Sequence, residues 1–123
     1  MPMIHEPLPT DRTRDTDAVE ELTELADFLS VLADPMRLAI LQHLRGGEHR
    51  VGELAEHLGL AQSTVSQHLS LLREAGLIST HTHGRARVSR LENEDLLTTA
   101  LVSARALADA ARPLAQPTGT EPA

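Results

Sequence analysis

The sequence contains no cysteine, tryptophan, tyrosine or lysine, and its only large aromatic ring is Phe28. Without cysteine there are no disulfides, no thiolate metal sites and no thiol redox chemistry. Without aromatic bulk the core has to be built from Leu, Ala and Val, and an apolar content of 41% over 123 residues suffices for one small domain. No uninterrupted apolar stretch approaches the roughly eighteen residues that a membrane span needs, and no signal-peptide pattern is present. The expected location is cytoplasmic, with no membrane partner. Catalytic signatures are missing too: there is no Gly-rich phosphate loop and no His-Glu-x-x-His, and no His-Asp arrangement surrounds the clustered hydroxyls. No enzyme is expected.

Because lysine is absent, every strongly basic residue is an arginine, the better fork for phosphate and guanine. A formal charge of −7 argues against nucleic acid until its distribution is considered. Residues 1–34 hold two Arg against nine acids, residues 35–91 seven against four, and residues 92–123 two against five. The middle of the chain is therefore its basic part.

That middle part, Val51 to Leu91, organises the rest. Leu54, Ala55 and Leu58 fall at helical spacing, and Gly59 follows where a helix that must stop favours a left-handed residue. Val65, Leu69 and Leu72 define a second helix from Gln62 onward, closed by Gly76. Gly59-Leu60-Ala61 leaves room only for a sharp turn, with Leu60 able to plug the angle between the two apolar faces. The pattern predicts a helix-turn-helix.

The second helix turns Gln62, Ser63, Thr64, Ser66, Gln67, Ser70 and Arg73 outward, with no carboxylate from 62 to 73. A face kept only for solvation would carry Glu and Lys. Short hydroxyls and amides at a helix start donate to phosphates and reach base edges in a major groove, where Gln pairs with adenine. Gln62, Ser63, Ser66 and Gln67 are expected to read bases. Next, Leu77–His83 and Ala86–Leu91 flank Gly84-Arg85 and read as a hairpin whose tip and return strand carry Arg85, Arg87 and Arg90. This is a cationic wing for the phosphate backbone or a neighbouring minor groove, and Thr64, Arg73, Arg85 and Arg87 are the expected contacts there. The expected fold is mainly α with a small β-hairpin wing (α+β): a winged helix-turn-helix of four helices, two strands and a fifth helix.

The runs ADPMRLAIL, ELAEHLGLAQSTVSQHLSLLREAGLI and HGRARVSRL together resemble the ArsR/SmtB family of winged-helix repressors, over about residues 20–111. The block QSTVSQHL is the most specific part. The resemblance implies a homodimer that blocks a promoter and releases DNA when it binds a metal ion.

Outside the DNA unit, Met1–Arg14 contains three Pro and no apolar period, and reads as a disordered tail. A helix is expected from near Thr16 as N-cap, with Asp17, Glu20 and Glu21 in its first turn and Val19, Leu22, Ala26, Leu29 and Ala33 as its stripe. Asp34-Pro35 restarts the chain as an N-cap and first helical position. The helix from Pro35 should bury Leu38, Ile40 or Leu41, and Leu44, and Arg37 near its start suits either DNA phosphate or an acid of the first helix. Gly46–Arg50 reads as a loop. The last helix, capped by Glu92-Asn93-Glu94-Asp95, places Leu97, Ala100, Leu101, Ala104, Leu107, Ala108 and Ala111 on one side, and residues 113–123 read as a second disordered tail. The domain thus spans 15–112. Its terminal helices have more apolar surface than the core needs, so pairing with a second copy is expected, and two-fold pairing favours a palindromic operator on double-stranded DNA. Closure of both stripes over a monomer core is the alternative.

Metal-sensing members of the resembled family carry Asp-x-His near the start of the last helix and His-x-x-Glu or His-x-x-His near its end. Those positions are Asn93, Asp95, Ala106 and Asp109 here, so both His are missing. Of the seven His, His68 in the recognition block reads as packing or touching phosphate, His43 and His57 as solvated, and His49 as a loop residue with nothing opposing it. His81 and His83 share one face of a strand and are the expected metal pair, with His49 or a partner chain completing the set. Without sulfur the ion would be nickel, cobalt or zinc, and the resemblance, through nickel-responsive members that use His and no Cys, puts Ni(2+) ahead of Zn(2+) or Co(2+). A regulatory partner protein is the other route to control. A pure protein-interaction module would share the amphipathic terminal helices but would have no need of the arginine wing.

Overall fold

The computed structural model describes residues 8–113. It divides into two units, the chain up to Glu92 and the chain from Asn93. Residues 1–7 and 114–123, most of the expected tails, lie outside the described part.

The first helix, α1 (Leu8–Leu32), begins eight residues before the expected Thr16. From Thr10 to Leu32 there is neither Gly nor Pro, and Pro9 stands in the first turn, where its missing N–H costs nothing. With no breaker to stop it, the helix extends back past the Thr16 cap signal. Asp34 then starts α2 (Pro35–Leu44): its Oδ1 accepts the Met36 and Arg37 N–H groups at 2.9 and 3.0 Å. Those bonds are the largest influence holding the Asp34 carboxyl below its ordinary pKa. Both Ile40 and Leu41 are buried along with Leu44, while Leu38 is only half-buried.

The stretch expected as a loop contains a short strand, β1 (His49–Arg50), which opens directly into α3 (Val51–Leu58). Glu53 Oε1 accepts the Arg50 N–H at 2.8 Å, satisfying a donor at the start of α3 and lowering the Glu53 pKa. Gly59 ends α3 at φ +67°, a left-handed conformation that glycine adopts without the Cβ clash other residues incur. Then α4 (Gln62–Glu74) crosses it, and the half-buried Leu60 fills the turn.

The wing is β2 (Ile78–His83) and β3 (Ala86–Leu91), antiparallel, with His81 opposite Val88 and His83 opposite Ala86. Its two-residue turn places Gly84 first at φ +64°, the conformation a type II′ hairpin requires there. β1 adds to the other side of β3, with His49 opposite Ser89 and Arg50 opposite Val88, so the sheet has three strands in the order β1-β3-β2. The core of this unit joins Ile40, Leu41 and Leu44 of α2, Leu54 of α3, Val65 and Leu72 of α4, and Ile78 and Val88 of the sheet. Each such side chain contributes about 1.5–3 kcal/mol by leaving water, which fixes α4 against its neighbours and points its polar side outward.

In the second unit, α5 (Glu94–Ala110) follows Asn93, which has φ 53° and makes no side-chain cap. Glu94 and Asp95 occupy its first turn, where the helix dipole favours acids.

Candidate nucleic-acid interface

Burial of Val65, Leu69 and Leu72 decides which way α4 faces. Gln62, Ser63, Ser66, Gln67 and Arg73 are exposed, and Thr64 is half-buried. The N-cap position, Ala61, has no side chain able to cap, so the first amides of the helix have no side-chain acceptor and are available to an anion. Gln62 leans over the start of α3, where its Nε2 lies 3.4 Å from the point a Cβ on Gly52 would occupy. A side chain at position 52 would thus meet the Gln62 amide at ordinary van der Waals distance.

Between α4 and the sheet lies a cleft of about 120 Å³, bounded by Ser66, Ser70 and Arg73 on one wall and Thr80, Arg87 and Ser89 on the other. Arg73 spans part of it, with Nη2 donating to Ser70 Oγ at 3.3 Å and Nη1 to Thr80 Oγ1 at 3.4 Å. These are long, neutral-acceptor bonds, and among the described residues no carboxylate pairs with Arg73. Arg85 at the turn and Arg87 on β3 are exposed and have no ion pair among the described residues, whereas Arg90 pairs with Glu92 at 3.7 Å. Two guanidinium groups and several hydroxyls thus converge on one small cleft, chemistry suited to a phosphate oxygen. Thr80 was not expected here; its signal was its place on the strand facing Arg73.

Arg37 serves a different purpose. Its Nε donates to the Val31 carbonyl at 2.5 Å and its Nη2 to the Ser30 carbonyl at 3.3 Å, capping the end of α1. It also stands 4.0 Å from Asp34 and 3.4 Å from His68 Nδ1. Among the described residues it pairs with no acid of α1 and takes the carbonyls at the end of that helix instead, tying α1, α2 and the recognition helix together. His68 accordingly packs, half-buried, behind the interface.

The two histidines of the wing take different partners. His81 Nε2 lies 3.0 Å from Ser79 Oγ, whose single proton goes to Glu92 Oε2 at 2.5 Å, and this bond is the main cause of the lowered Glu92 pKa. His83 Nε2 faces Glu48 at 3.4 Å. Among the described residues, no group of three or more His, Asp or Glu side chains could hold a metal ion. Asn93 and Asp95 are exposed at the start of α5, and Ala106 and Asp109 are exposed near its end.

The model for "Bacterial regulatory protein, arsR family" matches residues 34–80. The nodulation protein NolR of Rhizobium meliloti is 45% identical over 75 residues, 61% of this chain and 57% of NolR. The chain thus matches little more than half the length of that curated relative. Among solved structures, the transcriptional repressor BigR of Xylella fastidiosa superposes with a TM-score of 0.61 at 31% identity, over 76% of this chain and 95% of BigR. The homodimeric winged helix-turn-helix DNA-binding domain of Mb0332 from Mycobacterium bovis does so with a TM-score of 0.64 at 30% identity, over 76% of this chain and 87% of that one.

Proposed function

This chain belongs to the ArsR family of bacterial regulatory proteins, and we propose that it is a transcriptional repressor that binds double-stranded DNA as a homodimer. The observation that carries the reading is the outer face of α4, free of carboxylates from Gln62 to Arg73, beside Arg85 and Arg87, which have no ion pair among the described residues. Gln62, Ser63, Ser66 and Gln67 enter the major groove and read base edges. Thr64, Arg73, Arg85 and Arg87 hold phosphates or the adjacent minor groove.

Exposed apolar helix faces support the dimer. On α1, Val19 and Leu22 are 60% and 62% exposed and Leu29 is 50% exposed; on α5, Leu96 and Leu107 are 72% and 70% exposed. Each helix by itself leaves in water a face that a second copy would cover. A two-fold axis sets the two recognition helices about 34 Å apart and selects a palindromic operator. Control by a transition-metal ion, nickel, zinc or cobalt, belongs to the proposal because the chain offers imidazole and carboxylate donors and no thiol. A docked partner protein is the alternative route to the same control.

Hydroxyl-radical footprinting of the bound promoter, with sedimentation of the free protein at micromolar concentration, tests this reading. Two protected patches related by two-fold symmetry, one helical turn apart, and a sedimenting dimer are expected. One unsymmetrical patch, or a monomer, would overturn it.

A further inference from the structure

The cleft between α4 and the sheet contains a side chain that neither the core nor the DNA contacts use. Ser89 stands on β3, the central strand, opposite Thr80 of β2 and His49 of β1. It is only 2% exposed, the one polar residue among those buried in the described part, and it lines the cleft. Its hydroxyl makes no hydrogen bond among the described residues, although buried hydroxyls are nearly always paired. We propose that this cleft binds a free, small tetrahedral oxyanion of the phosphate class, and that the bound ion competes with DNA.

The polar lining consists of donors without acceptors to receive them. Ser66, Ser70, Thr80 and Ser89 each bring a hydroxyl proton, and among the described residues none of the four donates it to a protein acceptor. Ser70 and Thr80 accept from Arg73, so their own protons remain to be given elsewhere. Arg87 takes no hydrogen bond or ion pair among the described residues, and no carboxylate lines the cleft. A water would satisfy the Ser89 hydroxyl but would leave two guanidinium charges uncompensated. An anion with several acceptor oxygens answers both.

Size narrows the class. The cleft holds about 120 Å³, and at about 30 Å³ per water that is room for some four waters, or for one central atom with four oxygens. A sugar or base attached to the ion would have to stay outside. Ser89, the most buried of the polar lining residues, marks the floor, while Ser66 and Arg87 are exposed at the mouth. Val51 and Leu69 complete the wall, and beside apolar groups a charge-assisted hydrogen bond is stronger than in open water.

Depth separates the two sources of the same chemistry. A phosphodiester of the duplex is tied on both sides to a strand lying across the mouth, whereas a free ion can descend to Ser89. Both call on Arg73 and Arg87, so each excludes the other, and linkage requires that DNA weaken the ion by the factor by which the ion weakens DNA. The competition rests on the repressor reading; the binding of the ion does not.

The test is isothermal titration of the full chain with inorganic phosphate, followed by anisotropy of promoter DNA in phosphate and in chloride at equal ionic strength. One phosphate per chain is expected, weakened at least about tenfold by Ser89→Ala and by Arg87→Gln, the latter at an exposed position where folding should be unaffected. Urea midpoints establish that both variants are folded. In chloride Ser89→Ala should bind the promoter as the natural chain does, and phosphate should displace DNA from the natural chain but much less from this variant. No phosphate binding at millimolar concentration, undiminished binding in either folded variant, or displacement no greater in phosphate than in chloride would overturn the proposal. Loss of DNA affinity by Ser89→Ala in chloride would assign the whole cleft to a DNA phosphate and overturn it too. Phosphate bound in calorimetry by a chain that binds no DNA in chloride would instead mark failure of the repressor reading alone.

Discussion

Replacing Arg85 and Arg87 by Ala should change how DNA binding responds to salt, whereas replacing Gln62 and Ser66 by Ala should not. Each protomer offers Arg73, Arg85 and Arg87 to phosphates, six contacts in a dimer. At about 0.9 per neutralised phosphate, log K should fall with log salt at a slope near −5, and affinity should drop roughly a thousandfold between 50 and 200 mM salt. The wing variant keeps only Arg73 on each protomer, so its slope should lie near −2 on every sequence. The Gln62/Ser66 variant should keep the full slope and lose about 1–3 kcal/mol for each base contact, on the operator alone. Fluorescence anisotropy over a salt series, with operator and unrelated duplexes, reads both quantities. Equal slopes in the two variants, or equal loss on both duplexes, would refute the division between base reading on α4 and phosphate holding on the wing.

Leu72→Ala removes a fully buried side chain between α4 and the rest of the core and should cost about 2–5 kcal/mol in urea unfolding. Asp34→Ala should cost about 0.5–2 kcal/mol, since two N–H donors at the start of α2 lose their acceptor. The Asp34, Glu53 and Glu92 carboxyls are each held below their ordinary pKa, so they bind protons more weakly in the folded than in the unfolded chain. Their stabilisation is complete at neutral pH, begins to decline as pH enters the ordinary carboxylate range near 4.5 to 3.8, and is lost below the folded-state values. Thermal unfolding should therefore soften steadily on acidification, and less so in Asp34→Asn.

The helix-turn-helix was legible because its signals are local. Gly59 and Gly76 mark two helix ends, and the spacing of Val65, Leu69 and Leu72 sets which side of α4 remains wet. The wing turn was equally plain in Gly84-Arg85. What escaped depends on distant partners. Two residues such as His49-Arg50 make a strand only because Ser89 and Val88 of β3 lie alongside, and no period of two is readable in so short a run. The start of α1 was set too late because a good cap at Thr16 competes with an unbroken run of helix-compatible residues before it. Arg37 had two charged partners in view but found two carbonyls at the end of α1, acceptors that sequence spacing does not advertise. The His43, His49 and His57 rings meet only because the chain reverses between α2 and α3; at six and eight residues apart they share no face of any single element.

The central claim is that α4 and the wing bind a particular DNA sequence. Anisotropy titration of the full chain with a labelled duplex from its own upstream promoter, against an unrelated duplex of equal length at physiological salt, tests it directly. The account predicts tighter binding to the promoter by at least about a thousandfold. Equal affinity for the two duplexes, or binding to neither, would contradict it.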